Sequence, residues 1–156
     1  GDVYKRQIDI HKLVSQLIQI KEARNVKVEI SSNFQLSVKS NRVGVESIIS
    51  NLIDNAIEHG KTDTEILVNL GVNSSSNVYL RVTNKVGTEV NEDDLKHMFE
   101  PLWQKDASRT SEDNFGLGLS IVNALCDAVC AEVSVTKTTE EDISFLLTFK
   151  NETIGP

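Results

Sequence analysis

The chain has 156 residues, about the length of one globular domain, and is long enough to bury a hydrophobic core. Its net charge is −7, from 16 basic and 23 acidic residues, and no stretch concentrates lysine and arginine, which disfavours binding to nucleic acid. No run approaches the ~18 apolar residues of a transmembrane helix, and the N-terminus lacks the charged-then-apolar order of a secretion signal. These features predict a soluble, cytoplasmic domain that does not itself span a membrane.

We expect one domain between two short ends. Residues 1–7, GDVYKRQ, match nothing in the pattern of the family that the motifs below resemble, and we expect them to be a non-native or disordered leader. The domain is expected to span 8–150, and 151–156 are expected to form a tail. We find no internal repeat and no low-complexity tract within it.

The first elements are predicted from apolar spacing. From Ile8 to about Arg24, apolar residues recur at helical spacing, which predicts an amphipathic helix. Alternation then predicts two short strands, with residues 31–33 as the turn between them. These strands are Val26–Ile30 and Phe34–Val38.

A second helix is predicted from about Arg42 to His59, with Ser40 or Asn41 as its N-cap. Asn51 and Asn55 lie four residues apart, so their side chains project from one face at the edge of the apolar stripe. Two carboxamides in this arrangement supply hard oxygen donors. The apolar stripe that we expect to face the core consists of Val45, Ile48, Ile49, Leu52, Ile53 and Ala56.

The remaining elements complete an α/β pattern. Cys126 and Cys130 fall on the last predicted helix, four residues apart, and are expected to be buried reduced thiols. The polar segment 104–115 has no apolar period and is interpreted as a mobile lid. We expect a two-layer sandwich in which three main helices cover one face of a mixed β-sheet. The elements are strands at 65–72 and 78–82, joined as a hairpin, a short helix at 92–98, a helix at 118–131, and strands at 132–136 and 143–149.

A glycine-rich segment opens the last helix with the sequence Gly116-Leu117-Gly118-Leu119. Two glycines within three residues leave little side-chain bulk, so the backbone can approach phosphate groups. Free N–H groups and the helix dipole favour an anion at such a helix start. Together with the paired asparagines, this segment indicates a site for magnesium and a nucleoside triphosphate.

Four motifs in order carry a resemblance to a known family: NLIDNAIEHG, VTNKVG, FEPLW and GLGL. The chain resembles, from about Ile8 to Phe149, the catalytic ATP-binding domain of bacterial two-component sensor histidine kinases. These share the Bergerat ATP-binding fold with gyrase, Hsp90 and MutL. The resemblance implies that Mg-ATP donates its γ-phosphoryl group to a histidine on a separate dimerisation domain, which passes it to the receiver domain of a response regulator. It also implies that the chain is part of the cytoplasmic portion of an inner-membrane sensor kinase.

The resemblance assigns roles to residues at the end of the second helix. Asn55 corresponds to the magnesium-ligand asparagine. Asn51 stands where related ATPases usually carry a glutamate that acts as general base, and an amide cannot take that proton. The pair therefore indicates a phosphotransferase rather than an ATPase. Glu58 replaces a common Lys or Arg, which leaves open whether His59 supplies the corresponding phosphate contact.

The first glycine motif departs from the family pattern Asp-x-Gly-x-Gly. With a one-residue gap, Asn84 takes the place of the aspartate that accepts a hydrogen bond from the adenine amino group, and its side-chain oxygen is able to accept too. Asn84 is neutral and can also donate, which would weaken discrimination for adenine. Gly87 alone remains of the two glycines. The alternative is a strand-ending turn at residues 83–84 that contacts no ligand.

The segment around the lid supplies the last candidate residues. Phe99 and Trp103 correspond to apolar residues that anchor the lid against the nucleotide pocket, although core residues would look the same in sequence. Lys105 and Arg109 are candidate phosphate contacts, with solvated loop charges as the alternative. Leu117 and Leu119 are expected to face either the adenine or the core.

Two other functions remain compatible with the sequence. The altered first glycine motif is compatible with a degenerate module that acts through protein contacts, and the same fold also serves serine kinases of the anti-sigma type. His11, His59 and His97 all lack the sequence context of a phosphoacceptor histidine. The phosphoacceptor is therefore expected on a domain outside this chain.

Overall fold

A computed structural model describes residues 5–32, 36–87, 90–100 and 116–150. Within these ranges no helix is both long enough and apolar enough to cross a membrane. The elements, in chain order, are β1 Lys5–Asp9, α1 Ile10–Ile20, β2 Val26–Ile30, β3 Ser37–Asn41, α2 Arg42–His59, β4 Ile66–Val72, β5 Val78–Lys85, α3 Glu92–Leu95, α4 Gly116–Cys126, a single 3-10 turn Asp127–Val129, β6 Ala131–Lys137 and β7 Asp142–Phe149.

The main sheet has five strands in the order β2-β4-β5-β7-β6. The pair β2–β4 is parallel, and the other three pairs are antiparallel, so the sheet is mixed. One continuous core contains the buried faces of α1, α2 and α4 together with alternate residues of the strands. The predicted α/β sandwich with a mixed sheet is therefore confirmed.

The apolar stripe of α2 faces this core as predicted. Its six predicted residues are all buried, and strands β4, β5 and β7 present alternate apolar residues to them. Alternation follows from the strand geometry, in which successive side chains point to opposite faces. The strand residues that are fully buried beneath the helices are Val68, Leu70, Leu80, Val82, Phe145 and Leu147.

The N-terminal segment corrects one expectation. Residues 5–7 were expected outside the domain, yet they belong to β1, which pairs with β3 in a separate two-stranded antiparallel sheet. Ile8, in the same strand, is 1% exposed. The first three residues of β1 are polar, so no apolar alternation marks this strand in the sequence. The remaining parts of the expected leader and tail, 1–4 and 151–156, lie outside the described residues.

The predicted strands after α1 also need correction. The first, Val26–Ile30, forms as predicted, but the second begins later, at Ser37, and runs to Asn41. The two do not pair with each other, because β2 lies beside β4 and β3 lies beside β1. Alternation identifies a strand but not its partner.

Helix ends show how capping sets the boundaries. Helix α1 begins only at Ile10, because the side chain of Asp9 caps it by accepting a hydrogen bond from the N–H of Lys12 at 3.0 Å. Helix α2 has the predicted bounds, and Asn41, not Ser40, is its N-cap, accepting from the N–H of Gly44 at 2.9 Å.

The end of the last helix corrects the expectation for the cysteines. Helix α4 ends at Cys126, and a 3-10 turn follows before the chain enters β6. Cys130 adopts a left-handed conformation with φ 57° directly after that turn. Cys126 is buried, as expected, but Cys130 is exposed, because the helix ends before it can place both thiols on one face.

Candidate nucleotide-binding site

Asn55 is a buried asparagine near the end of α2, with 7% of its surface exposed. Its neighbours in the helix, Ile53 and Ala56, belong to the core. Among the described residues, no donor reaches Oδ1 of Asn55. A buried carbonyl-type oxygen without a partner is rare in folded proteins, so this atom is a candidate ligand contact.

Asn51 lies one helical turn before Asn55 and is half-buried. Its Nδ2 donates a hydrogen bond to the carbonyl oxygen of Ser47 at 2.7 Å. The amide nitrogen is thus engaged by the helix itself. Residues four apart on a helix are neighbours on its surface, so the two carboxamides form a single polar strip beside the core.

Asn84 occupies the end of β5 and is 2% exposed. It pairs in register with Ile143 of β7. Its Nδ2 donates to the carbonyl oxygen of Lys85 at 3.3 Å, whereas its Oδ1 has no hydrogen-bond partner within the described part of the chain. Asn84 therefore resembles Asn55 in presenting a buried oxygen that has no partner in the part of the chain that the structure describes.

The chain brings the ends of α2 and β5 together. The backbone N–H of Lys61, just past α2, donates to the carbonyl oxygen of Lys85 at 2.8 Å. Gly60 approaches Asn84 so closely that a Cβ built at position 60 would lie 3.2 Å from Nδ2 of Asn84. The two elements that carry the unpartnered oxygens are thus directly joined.

The glycine-rich segment forms the first turn of the second helix of the site. Gly116, Leu117 and Gly118 lie at the start of α4, which packs along α2. Leu119 is fully buried in the core. The core alternative for Leu119 is therefore correct, and the helix start places backbone N–H groups at one end of α4.

Residues 40–153 match a family described as histidine kinase-, DNA gyrase B- and HSP90-like ATPases. The chain belongs to this family. The predicted resemblance to the ATP-binding domain of sensor histidine kinases is thus confirmed.

Curated relatives of this chain include sensor proteins of bacteria. It is 27% identical over 143 residues to the sensor protein VanSC of Enterococcus gallinarum, covering 87% of this chain and 37% of the relative. It is 32% identical over 99 residues to the heme sensor protein HssS of Staphylococcus haemolyticus (strain JCSC1435), covering 64% of this chain and 21% of the relative. The chain therefore spans less than half the length of these relatives.

Solved structures of histidine kinases share the fold. The catalytic domain of histidine kinase ThkA, in a nucleotide-free form, has a TM-score of 0.74 at 18% identity, covering 93% of this chain and 94% of that one. Full-length ShkA in complex with AMPPNP has a TM-score of 0.73 at 20% identity, covering 93% of this chain and 30% of that one. At this identity the similarity shows the shared fold.

Three contacts fix the described residues that follow β5. The carbonyl oxygen of Gly87 accepts a hydrogen bond from the N–H of Val90 at 3.2 Å. The side chain of Lys137 donates to the carbonyl oxygen of Val90 at 2.6 Å and ties Val90 to β6. Phe99 packs edge-on against Phe145, with ring centroids 6.0 Å apart and planes at 90°. Phe99 is therefore anchored on the core, and its contact with a nucleotide stays a prediction.

The remaining predicted site residues lie either outside the described residues or at the end of α2. Trp103, Lys105 and Arg109, together with the expected lid 104–115, are outside the described residues. His59 is the half-exposed last residue of α2, and Glu58 before it is exposed.

His97, which lies outside the candidate site, has a pKa that is shifted by a neighbouring carboxylate. Nδ1 of His97 lies 2.9 Å from a carboxylate oxygen of Glu100, and this hydrogen bond raises the pKa of the imidazole. The ring is on the surface of the pre-lid segment. The pair places a carboxylate against His97, which is consistent with a surface ion pair rather than a reacting group.

Sequence reasoning missed two features beside Asn84. The hydroxyl groups of Thr83 and Ser144 lie 2.7 Å apart across β5 and β7, and Ser144 is 3% exposed. The second is the close approach of Gly60 to Asn84, a contact that the motif NLIDNAIEHG does not reveal. Glycine is common at helix ends, so its presence does not predict a contact with Asn84. A pair across two strands can be predicted only when the register of the strands is known.

Proposed function

We propose that this chain binds Mg-ATP and presents the γ-phosphoryl group for transfer to a histidine on a separate dimerisation domain, in two-component signal transduction. One observation carries the proposal: the buried side-chain oxygens of Asn55 and Asn84 lack partners within the described residues, on two joined elements of an ATPase fold. Leaving a buried acceptor unpaired costs about 1–3 kcal/mol. A ligand that contacts both atoms would recover that free energy.

Asn55 fits a magnesium contact. Magnesium takes oxygen ligands and keeps several waters, so one amide oxygen beside the substrate phosphates is sufficient. Oδ1 of Asn55 is buried and has no partner among the described residues, as such a ligand requires. When bound, the ion would offset the negative charge of the phosphates. Asn51, one turn earlier, is neutral and cannot take a proton from water, which favours transfer over hydrolysis.

Asn84 and the start of α4 fit the two ends of ATP. Oδ1 of Asn84 is able to accept a hydrogen bond from the amino group of adenine. The first turn of α4, which contains Gly116, Leu117 and Gly118, offers N–H groups and the positive end of the helix dipole to phosphates. Further contacts with ATP are proposed for three residues of the lid, namely Trp103, Lys105 and Arg109. Three residues outside the lid are also proposed to contact ATP: His59, Gly87 and Phe99.

The transfer itself needs a partner domain. A ring nitrogen of the acceptor histidine would attack the γ-phosphorus, so that a P–N bond forms as the P–O bond to ADP breaks. An aspartate on the receiver domain of a response regulator would then take the phosphoryl group. The relatives are longer than this chain, which is consistent with a dimerisation domain elsewhere in the same protein. We place the domain on the cytoplasmic side of the inner membrane.

The direct test is calorimetric titration of the chain with magnesium and a non-hydrolysable ATP analogue. We expect dissociation constants from micromolar to sub-millimolar, and at least tenfold weaker binding by Asn55→Ala. Asn69→Ala is the matched control, because Asn69 lies on the face of β4 opposite its buried residues Val68 and Leu70. Absence of binding by the unmodified chain would refute the kinase function.

That outcome would favour the second candidate, a degenerate module that acts through protein contacts. The specific observation behind it is the first glycine motif, where Asn84 replaces the aspartate of the family pattern and Gly87 alone remains. The module would retain the fold and the stability of the domain without responding to nucleotide. Thermal melts with and without nucleotide separate the two candidates.

A further inference from the structure

Strand β6 is an open edge of the main sheet. It stands last in the strand order, and in the described part of the chain only β7 pairs with it. Natural sheets commonly protect an edge with proline or lysine. The seven residues of β6 contain no proline, and their one lysine, Lys137, reaches away to the carbonyl oxygen of Val90 at 2.6 Å. The first half of β6 therefore lacks both kinds of protection.

The register shows which backbone groups of β6 point to this open edge. Opposite residues of antiparallel strands alternate between pairs that exchange hydrogen bonds and pairs whose N–H and C=O groups point away from each other. The N–H of Thr138 donates to the carbonyl oxygen of Asp142 at 3.0 Å, in the pair that continues the register of β6 and β7. Counted in steps of two from Thr138, the even-numbered residues of β6 are bonded to β7. Val133 and Val135 therefore direct their backbone groups outwards.

A groove lies beside this edge, between β6 and the end of α4. It has a volume of about 450 Å³, and its walls include residues 131–134 on one side and Asn123 and Asp127 on the other. Within the described ranges, no hydrogen bond joins the outward groups of Val133 or Val135 to another element. A groove between a helix and an open strand edge is the geometry in which an extended peptide adds to a sheet.

The groove is acidic. Asp127 and Glu132 line it, whereas no lysine or arginine among the described residues does so. Lys150, outside the groove, reports their charge: its pKa is raised by its hydrogen bond with Glu132 and by the charges of both carboxylates. A basic segment would be attracted by the same two charges. A second copy of this chain, with a net charge of −7, would bring like charges together.

We propose that β6 is a docking edge for an extended, basic segment of a partner protein, which adds to the five-stranded sheet as a further strand. Its backbone would pair with the outward groups of Val133 and Val135. Because side chains alternate along a strand, every second one would face the side of Ala131 and Val133, and the others would lie beside Glu132. Alternating apolar and basic residues fit both sides. The groove lies at the opposite end of α4 from Gly116, so docking does not require nucleotide.

The first test is calorimetric titration of the chain with a capped hexapeptide of alternating lysine and valine. We expect saturable binding at one site, and at least ~5-fold weaker binding when glutamate replaces the lysines. Absence of binding by the lysine peptide would overturn the proposal. A hexapeptide with the same six residues in two blocks is the control, and equal affinity for both orders would show that charge alone attracts the peptide and would also overturn it.

Backbone methylation tests the added strand directly. The N–H groups of alternate residues in a strand point to the same edge, so methylating the valine nitrogens or the lysine nitrogens removes donors from one edge only. One of the two methylated peptides should lose binding and the other should keep it. Unchanged binding of both would mean that no backbone pairing occurs.

Variants of the chain locate the interaction. Val133→Pro removes an N–H that points away from β7, so the ladder with β7 is retained while the docking edge loses a donor. It should abolish binding, whereas the matched control Val133→Ala should bind. Glu132→Lys should weaken binding at least ~5-fold, with Glu29→Lys on the other edge strand as its control.

Two outcomes of the variants would overturn the proposal. The first is a Val133→Pro variant that is folded by circular dichroism and binds the peptide as tightly as the unmodified chain. The second is a dimer of the unmodified chain in analytical ultracentrifugation that Val133→Pro dissociates, because the edge would then belong to a second copy. If Val133→Pro does not fold, the methylated peptides and Glu132→Lys decide the question.

Discussion

Val129 packs against Gly44 at the distance of direct contact: a Cβ built at position 44 would lie 2.7 Å from Cγ1 of Val129. Gly44 belongs to the first turn of α2, and Val129 ends the 3-10 turn after α4. The hydroxyl of Ser40 also donates to the carbonyl oxygen of Val129 at 3.3 Å. The start of α2 is thus held against the 3-10 turn that follows α4. This contact links the two helices of the candidate site.

Gly44→Ala should lower the free energy of unfolding despite the better helix propensity of alanine. The propensity gain is about 1 kcal/mol, whereas overpacking a core costs about 1–3 kcal/mol. Val129 is β-branched and cannot easily turn its methyl group away. We therefore expect a net loss near 1 kcal/mol in urea denaturation.

A double-mutant cycle isolates this contact. In a Val129→Ala background the methyl group at position 44 finds space, so Gly44→Ala should become stabilising, by about 1 kcal/mol. A change of sign between the two backgrounds supports the contact. The same effect in both backgrounds would mean that Val129 does not limit the space at Gly44.

The cap of α2 makes a second stability prediction. Asn41 accepts the N–H of Gly44 at 2.9 Å, so Asn41→Ala should destabilise the domain by about 1 kcal/mol, within the 0.5–2 kcal/mol typical of N-caps. Asn41→Asp retains an acceptor and should restore most of the loss. The measurement is urea denaturation at neutral pH. An aspartate variant as unstable as the alanine variant would show that the cap is not the cause.

Elements could be predicted from the sequence where local signals agree. Helix α2 has an apolar stripe, a cap residue and a following glycine, and its predicted bounds, Arg42 to His59, are those of the structure. The hairpin of β4 and β5 was likewise predicted, because the turn between them is polar and short. Strand β1 was missed because its first residues are polar, and its partner β3 lies about thirty residues away. Pairing over that distance leaves no local pattern.

The sequence proposes the residues of the candidate site but not their burial or hydrogen bonding. Motif positions single out Asn55 and Asn84, but the sequence could not show that their oxygens are buried without partners among the described residues. Gly60 had no signal, because its contact with Asn84 depends on where α2 ends relative to β5. The lid residue Trp103 lies outside the described residues and stays a prediction.

The two cysteines should differ in reactivity. Burial raises the pKa of the Cys126 thiol to about 11, with a smaller contribution from the charge of Asp127, whereas Cys130 is exposed. At pH 8 only about one Cys126 in a thousand would be the reactive thiolate. Iodoacetamide should therefore add one label to the native protein and two after denaturation, as read by mass spectrometry. Cys130→Ser should abolish the native label, and rapid double labelling would contradict the burial of Cys126.

Asn55 should contribute to binding and not to stability. A hydrogen-bonded buried asparagine costs about 1–3 kcal/mol when it is replaced by an apolar residue of similar size, because its partner is left unpaired. Oδ1 of Asn55 has no such partner among the described residues. Asn55→Leu should therefore unfold in urea at the same midpoint as the unmodified chain, or at a higher one.

Nucleotide should stabilise the unmodified chain but not the Asn55→Leu variant. A ligand that binds only the folded state raises the free energy of unfolding according to its concentration relative to its dissociation constant. Magnesium and the ATP analogue should thus raise the melting temperature of the unmodified chain and leave that of Asn55→Leu unchanged. A variant that loses more than about 1 kcal/mol of stability without nucleotide would indicate that the Asn55 carboxamide is hydrogen-bonded within the protein, and Asn55 would then be a structural residue.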